Sequence, residues 1–142
     1  MARQSLRIQQ QFNAPLNEVF DTLSDHERFG RIIGVKMKRV KTGDDGANGL
    51  GSIRTIHIGP LPSFEETITG FEPNALIEYK ITKGSPIKNH VGTLRFSENN
   101  GVTELDYTIE LESKIPLTTG LIKTALHNGI AKGLKRYSES LQ

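Results

Sequence analysis

Arg54, Glu66, Tyr79, His90 and Tyr107 stand at positions that strand alternation turns inward, among Ile, Leu and Phe. If a turn over Gly59–Leu61 pairs Ile58 with Pro62, then Ile56 falls opposite Phe64 and Arg54 opposite Glu66, with Ile68 on the same face. An isolated charge on such a face is costly, and an opposed pair much less so. The pair admits a structural reading, an ion pair that fixes register, and a register slip would leave both residues in water. It also admits a chemical reading, in which Arg54 anchors a carboxylate or carbonyl oxygen and Glu66 accepts a proton or hydrogen bond. The same counting across Gly84–Pro86 sets Ile81 opposite His90, Tyr79 opposite Gly92 and Ile77 opposite Leu94. Across Asn99–Gly101 it sets Phe96 opposite Leu105, Leu94 opposite Tyr107, Gly92 opposite Ile109 and His90 opposite Leu111. His90 then has aliphatic neighbours on both sides, as either a core histidine with one hydrogen bond or an acid/base. Gly92 leaves a gap under Tyr79, and the hydroxyls of Tyr79 and Tyr107 serve either the core or the orientation of a ligand.

These side chains need an antiparallel sheet to align them and a cover to exclude water. Alternation predicts strands over 5–12, 35–42, 51–58, 63–71, 76–83, 88–97 and 102–113, with breaks at Gly43-Asp44-Asp45-Gly46, Gly59-Pro60-Leu61-Pro62, Glu72-Pro73-Asn74, Gly84-Ser85-Pro86 and Asn99-Asn100-Gly101. The gaps between the last six are too short for a crossover helix, so these run as an antiparallel meander. Asn13-Ala14-Pro15 stops the first strand. Val19, Phe20 and Leu23 then mark a short helix over 15–23, and Ser24 or Asp25 caps a second, which Gly34 ends. A long helix over 117–141 carries Leu117, Leu121, Ala125, Gly129, Gly133 and Tyr137 at four-residue spacing, with Ile130, Leu134 and Leu141 beside them. Its middle is thin. Ala125, Gly129 and Gly133 either let the helix approach the sheet closely or, facing Gly92, leave a cavity lined by Ile56, Phe64 and Phe96 as well.

Composition narrows the class. The 142 residues fit one domain, 1–142, and 35% hydrophobic content suffices for one core. Lys plus Arg exceed Asp plus Glu by two, 18 against 16, with the signs interleaved, so no nucleic-acid footprint is expected. The basic run Lys36, Lys38, Arg39, Lys41 reads as a guarded edge strand or as a patch for an acidic partner. Without cysteine there are no thiolate metal sites or disulfides, and His26, His57, His90 and His127 are too dispersed for a metal, so neither metal nor cofactor is expected. With no signal-peptide pattern and no membrane span, the expectation is a cytoplasmic protein, monomeric or homodimeric.

Phe12-Asn13-Ala14-Pro15 with Val19-Phe20 and Leu23-Ser24-Asp25 opens a recognisable order of motifs. Gly49-Leu50-Gly51-Ser52-Ile53-Arg54, Phe64-Glu65-Glu66, Phe71-Glu72-Pro73, His90-Val91-Gly92 with Phe96 and the glycine-containing last helix follow. Across the whole chain this order resembles the START-like, or helix-grip, superfamily, in particular its polyketide cyclase/dehydrase-related branch. The resemblance implies an α+β fold, a seven-stranded curved antiparallel sheet wrapped around the C-terminal helix with two short helices after the first strand. It implies a cavity more firmly than a reaction. The expected ligand is an apolar or amphipathic small molecule of lipid, polyketide or aromatic type, entering between the long helix and the loops at 59–62 and 84–86. Glu66, His90 and Arg54 are the candidate catalytic groups, and Tyr79, Gly92, Tyr107, Ile56, Phe64, Phe96, Ala125, Gly129 and Gly133 the candidate ligand-binding ones. A cyclase or dehydratase, with Glu66 or His90 as acid/base and Arg54 stabilising an oxyanion, and a protein-interaction module are the alternatives.

Overall fold

Strict alternation in the late strands yields a single curved sheet, with one long helix against its inner face. The computed structural model describes residues 2–58, 62–84, 88–113 and 116–141. The strands are β1 (Ala2–Phe12), β2 (Lys36–Lys41), β3 (Ile53–His57), β4 (Phe64–Glu72), β5 (Leu76–Lys83), β6 (Lys88–Asn99) and β7 (Val102–Ser113). They pair antiparallel in the order β1-β7-β6-β5-β4-β3-β2. Between β1 and β2 lie α1 (Leu16–Ser24) and α2 (His26–Ile33), and α3 (Pro116–Ser140) closes the chain. The predicted architecture is the observed one.

Local chemistry sets the boundaries. Pro15, with φ −60°, precedes the first turn of α1. The Asp25 carboxylate accepts from the Arg28 amide at 3.0 Å, and Gly34 ends α2 in the left-handed region at φ 78°. The turns over Gly59–Leu61 and Ser85–Ile87 lie outside the described residues. In β2 the register shifts at Val40, which stands 52% exposed on the basic edge strand. The core joins Ile8, Phe12, Ile68, Leu94, Leu105, Ile109 and Leu111 of the sheet to Phe20 and Phe29 of the short helices and to Ile130 and Leu134 of α3.

The long helix departs from the expected stripe. Leu126 and Tyr137 are half-buried and Ile130, Gly133, Leu134 and Ser138 buried, whereas Ala125 and Gly129 are exposed. The side chains of Leu117 and Leu121 lie outside the described set. A four-residue repeat precesses by about 40° per step on a helix of 3.6 residues per turn, so residues inward at one end of the repeat have rotated outward a few steps along it. Gly133 faces α2: a Cβ built there would sit 2.2 Å from the Ile32 carbonyl oxygen. Small size at 133 therefore serves close helix–helix approach.

Gly129 and Gly133 should respond oppositely to alanine. A Cβ at Gly129 meets nothing within 4 Å, so Gly129→Ala is expected to stabilise by about 0.5–1 kcal/mol through helix propensity. Gly133→Ala is expected to destabilise, with overpacking strain of about 1–3 kcal/mol. Urea midpoints at unchanged m-value distinguish the two.

Candidate functional site

The counting across the turn of 59–61 holds in the structure: Arg54 pairs with Glu66 and Ile56 with Phe64. Alternation in β3 then buries Arg54 and Ile56 on the inner face. The guanidinium donates from Nε to Glu66 Oε1 at 2.8 Å, and Nη2 lies 2.8 Å from the same oxygen, with the side chains 3% and 6% exposed. At this depth the Coulomb gain is large, and loss of either partner would strand the other charge at a cost of about 3–5 kcal/mol. The faces of the guanidinium are also occupied. Its Cζ lies 5.4 Å from the Phe29 ring centroid and 4.7 Å from that of Tyr79.

His26, absent from the sequence-derived site, completes the arrangement. It opens α2, where His26, Phe29 and Gly30 form the buried face. Arg54 Nη1 lies 3.3 Å from His26 Nδ1, and His26 Nε2 lies 2.9 Å from Ser52 Oγ, both contacts buried. A guanidinium only donates, so Nδ1 accepts and the proton of the neutral ring sits on Nε2, donated to Ser52. Burial, then the positive charges of Arg54 and Arg39, pull the imidazole down to about 3. The signal in the sequence was the i, i+3, i+4 stripe of α2, in which the histidine occupies a core position.

The paired residues of β5, β6 and β7 bring the tyrosines together. Tyr79 lies opposite Gly92, Leu94 opposite Tyr107 and Gly92 opposite Ile109. The hydroxyls of Tyr79 and Tyr107 hydrogen-bond to one another. Burial raises both phenols well above their ordinary range, and Glu66 acts in the same direction, so both stay protonated. One hydroxyl donates to the other, leaving a second hydroxyl hydrogen not spent on that contact. Gly92 does not border a void: a Cβ there would lie 2.1 Å from Tyr79 Cζ, so the gap expected beneath Tyr79 holds its ring. Phe96 packs at 5.1 Å against Phe20 of α1, outside the polar cluster, and Phe64 is half-buried beside Gly84.

His90 departs from the predicted register. Lys88 pairs with Glu112 and Val91 with Glu110, so Asn89 and His90 together oppose Leu111, with Asn89 at φ 51°. This β-bulge sets two residues against Leu111 where counting predicts His90 alone, and the predicted Ile81–His90 pair does not form, since pairing of β5 with β6 ends at Lys80–Val91. Where the strands part, an open cleft of about 400 Å³ is lined by Lys80, Ile81, Asn89, His90, Val91 and Glu112. His90 is 6% exposed and its ring lies 5.8 Å from that of Tyr79. Burial lowers its pKa, with Glu66 opposing and Arg54 reinforcing, so the ring is neutral at pH 7. Among the described residues only His90 has buried side-chain nitrogens, Nδ1 and Nε2, without a hydrogen-bond partner. Each such group costs about 1–3 kcal/mol if left unsatisfied.

The inner face thus holds a committed ion pair, a neutral histidine fixed to it, two protonated tyrosines and a neutral histidine with both nitrogens open. No group of three or more His, Asp or Glu residues suited to a metal occurs among the described residues. No helix among them is long and apolar enough to cross a membrane.

The sequence matches, over residues 3–142, the family model described as polyketide cyclase / dehydrase and lipid transport. No curated protein sequence matches the chain significantly. Among solved structures, a START superfamily protein from Mycobacterium smegmatis superposes with TM-score 0.79 at 15% identity, covering 97% of this chain and 99% of its own. An aromatase/cyclase from Streptomyces gives 0.78 at 14% identity, covering 97% and 94%. Norcoclaurine synthase from Thalictrum flavum, in complex with dopamine and hydroxybenzaldehyde, gives 0.71 at 12%, covering 99% and 89%. At these identities the likeness is one of fold, the helix-grip fold.

The buried histidines make stability acid-sensitive. With the His26 pKa lowered from 6.5 to about 3, protons bind the unfolded chain first as pH falls. Stability is therefore complete above about pH 6.5 and declines toward pH 3, by up to about 1.4 kcal/mol per pH unit for each such group. His90 acts in the same direction. His26→Gln, which can accept from Arg54 and donate to Ser52, is expected to flatten the slope between pH 6.5 and 4.5. An unchanged slope in urea titrations at several pH values would show that His26 does not carry the linkage.

Proposed function

The chain belongs to the polyketide cyclase / dehydrase and lipid transport family, and on that premise we propose that it binds an apolar or amphipathic small molecule on the inner face of its sheet, against α3. The observation that carries this reading is His90. A buried imidazole with two unpartnered nitrogens, in a cluster where the other buried polar side chains find partners, has the chemistry of a site awaiting a ligand's polar atom. Tyr79 and Tyr107 supply the adjacent hydroxyls, while Ile56, Phe29 and half-buried Phe64 supply apolar surface. Arg54 and Glu66 act here by their field and by fixing Tyr79, with Arg54 Nε and Nη2 held by Glu66 Oε1 and Nη1 by His26. The β5–β6 cleft beside His90 offers access.

A cyclase or dehydratase reading is favoured by one specific feature: a neutral imidazole stands next to two phenols held in their acid form. His90 would take a proton from the carbon next to a ligand carbonyl, and a tyrosine hydroxyl would donate a hydrogen bond to the developing enolate oxygen. The fold neighbours are consistent with this chemistry: one is an aromatase/cyclase, another norcoclaurine synthase.

Native mass spectrometry of the purified protein, followed by titration with a fluorescent apolar probe, tests binding. Saturable uptake is expected, and a fluorescent probe that also carries a hydroxyl should bind about tenfold or more weakly in His90→Phe, equivalent to the loss of one to two buried hydrogen bonds. Absence of saturable uptake by the native chain would end the binding reading. For the enzyme reading, incubation with a poly-β-ketoacyl thioester should give a product lighter by one water, abolished by His90→Ala with the fold retained. No conversion by the native chain would leave binding alone.

A further inference from the structure

The charges of the inner face are already balanced, and this constrains what can join them. Arg54 gives Nε and Nη2 to Glu66 Oε1 and Nη1 to His26, and its two faces are covered by Phe29 and Tyr79. The Nε/Nη2 edge, of the kind that recognises a carboxylate, is thus already taken by Glu66. The buried titratable groups of this face add no compensating charge: His26 and His90 are neutral, and Tyr79 and Tyr107 remain protonated, while in the neighbouring cleft Glu112 accepts from Asn89 Nδ2 at 3.0 Å and Lys80 is solvent-exposed. Arg39, the second cation acting on His26, donates to Asn48 Oδ1 at 3.0 Å. A ligand anion or cation brought against His90 would therefore be an uncompensated charge in a buried place. An uncharged oxygen meets the opposite situation. A hydroxyl or carbonyl can use His90, which as a neutral ring offers one donor and one acceptor, together with the spare hydrogen of the tyrosine pair.

We propose that this face selects ligands whose buried polar group is an uncharged oxygen, a hydroxyl or carbonyl on an apolar skeleton, and rejects carboxylates and ammonium groups on the same skeleton. The inference rests on the binding reading above and adds the charge state of the ligand. It places free fatty acids and amines outside the ligand class, and phenols, alcohols, ketones and esters within it.

Calorimetric titration of the full chain with naphthalene, 2-naphthol, 2-naphthoate and 2-naphthylmethylamine at about pH 7.5 tests it, since the first two are neutral there and the last two charged. The expected result is 2-naphthol tightest, by at least about tenfold over either charged analogue. In His90→Phe, naphthol should lose its advantage over naphthalene. Equal binding of all four, or tighter naphthoate, would overturn the selection while leaving a binding cavity in place. Binding of none would remove the underlying reading and the selection with it. Should His90→Phe fail to melt cooperatively, the four-ligand comparison on the native chain decides alone. A naphthol advantage retained in a folded His90→Phe would overturn the assignment of the oxygen to His90.

Discussion

The buried ion pair between Arg54 and Glu66 is the constraint on which the inner face depends. Neither charge is tolerable there alone, so β3 and β4 are held in the one register that opposes them. Once the guanidinium is fixed, its third nitrogen dictates which nitrogen of His26 accepts, and that in turn commits Ser52. Its faces set the places of Phe29 and Tyr79. Tyr79 then meets Tyr107 across β6, where only a glycine could admit the ring. A single electrostatic requirement thus propagates through a helix start, five strands and two aromatic contacts.

Small residues serve approach here rather than emptiness. Gly92 makes room for a phenol and Gly133 for the backbone of α2. Both would read as thin spots from composition, yet each is filled by a neighbour drawn close enough to gain dispersion energy. Any space for a ligand must therefore be sought beside His90, where β5 and β6 part, rather than above Gly92.

Much of this was legible in the sequence. Alternation and turn residues located all seven strands, and hairpin counting placed Arg54 opposite Glu66 and Tyr79 opposite Gly92, because side-chain direction in a strand has a period of two and errors are conspicuous. The inward face of α3 was not legible from a four-residue repeat, which drifts around a 3.6-residue helix. His90 keeps its predicted inward face, but the bulge beside it was not legible, because strict counting cannot see an inserted residue; Asn89, a residue tolerant of positive φ, was a local mark. His26 was missed for another reason. Its partners lie 26 and 28 residues away, and no spacing rule links the first turn of a helix to a strand so distant.

The bulge explains how one histidine differs from the other. His26 sits on a regular helix against groups that satisfy both nitrogens, and its burial is offset by those bonds. His90 sits where regular pairing would have set it against Leu111, among aliphatic neighbours that offer nothing to either nitrogen. The bulge stands where the β5–β6 ladder ends, so the imidazole lies next to an opening without being solvated by it. A fold that only needed stability would place an aliphatic side chain there and avoid two unsatisfied nitrogens. Retaining an imidazole at a distorted strand next to protonated phenols exchanges stability for two neutral hydrogen-bonding groups, which is the premise of the binding reading proposed above.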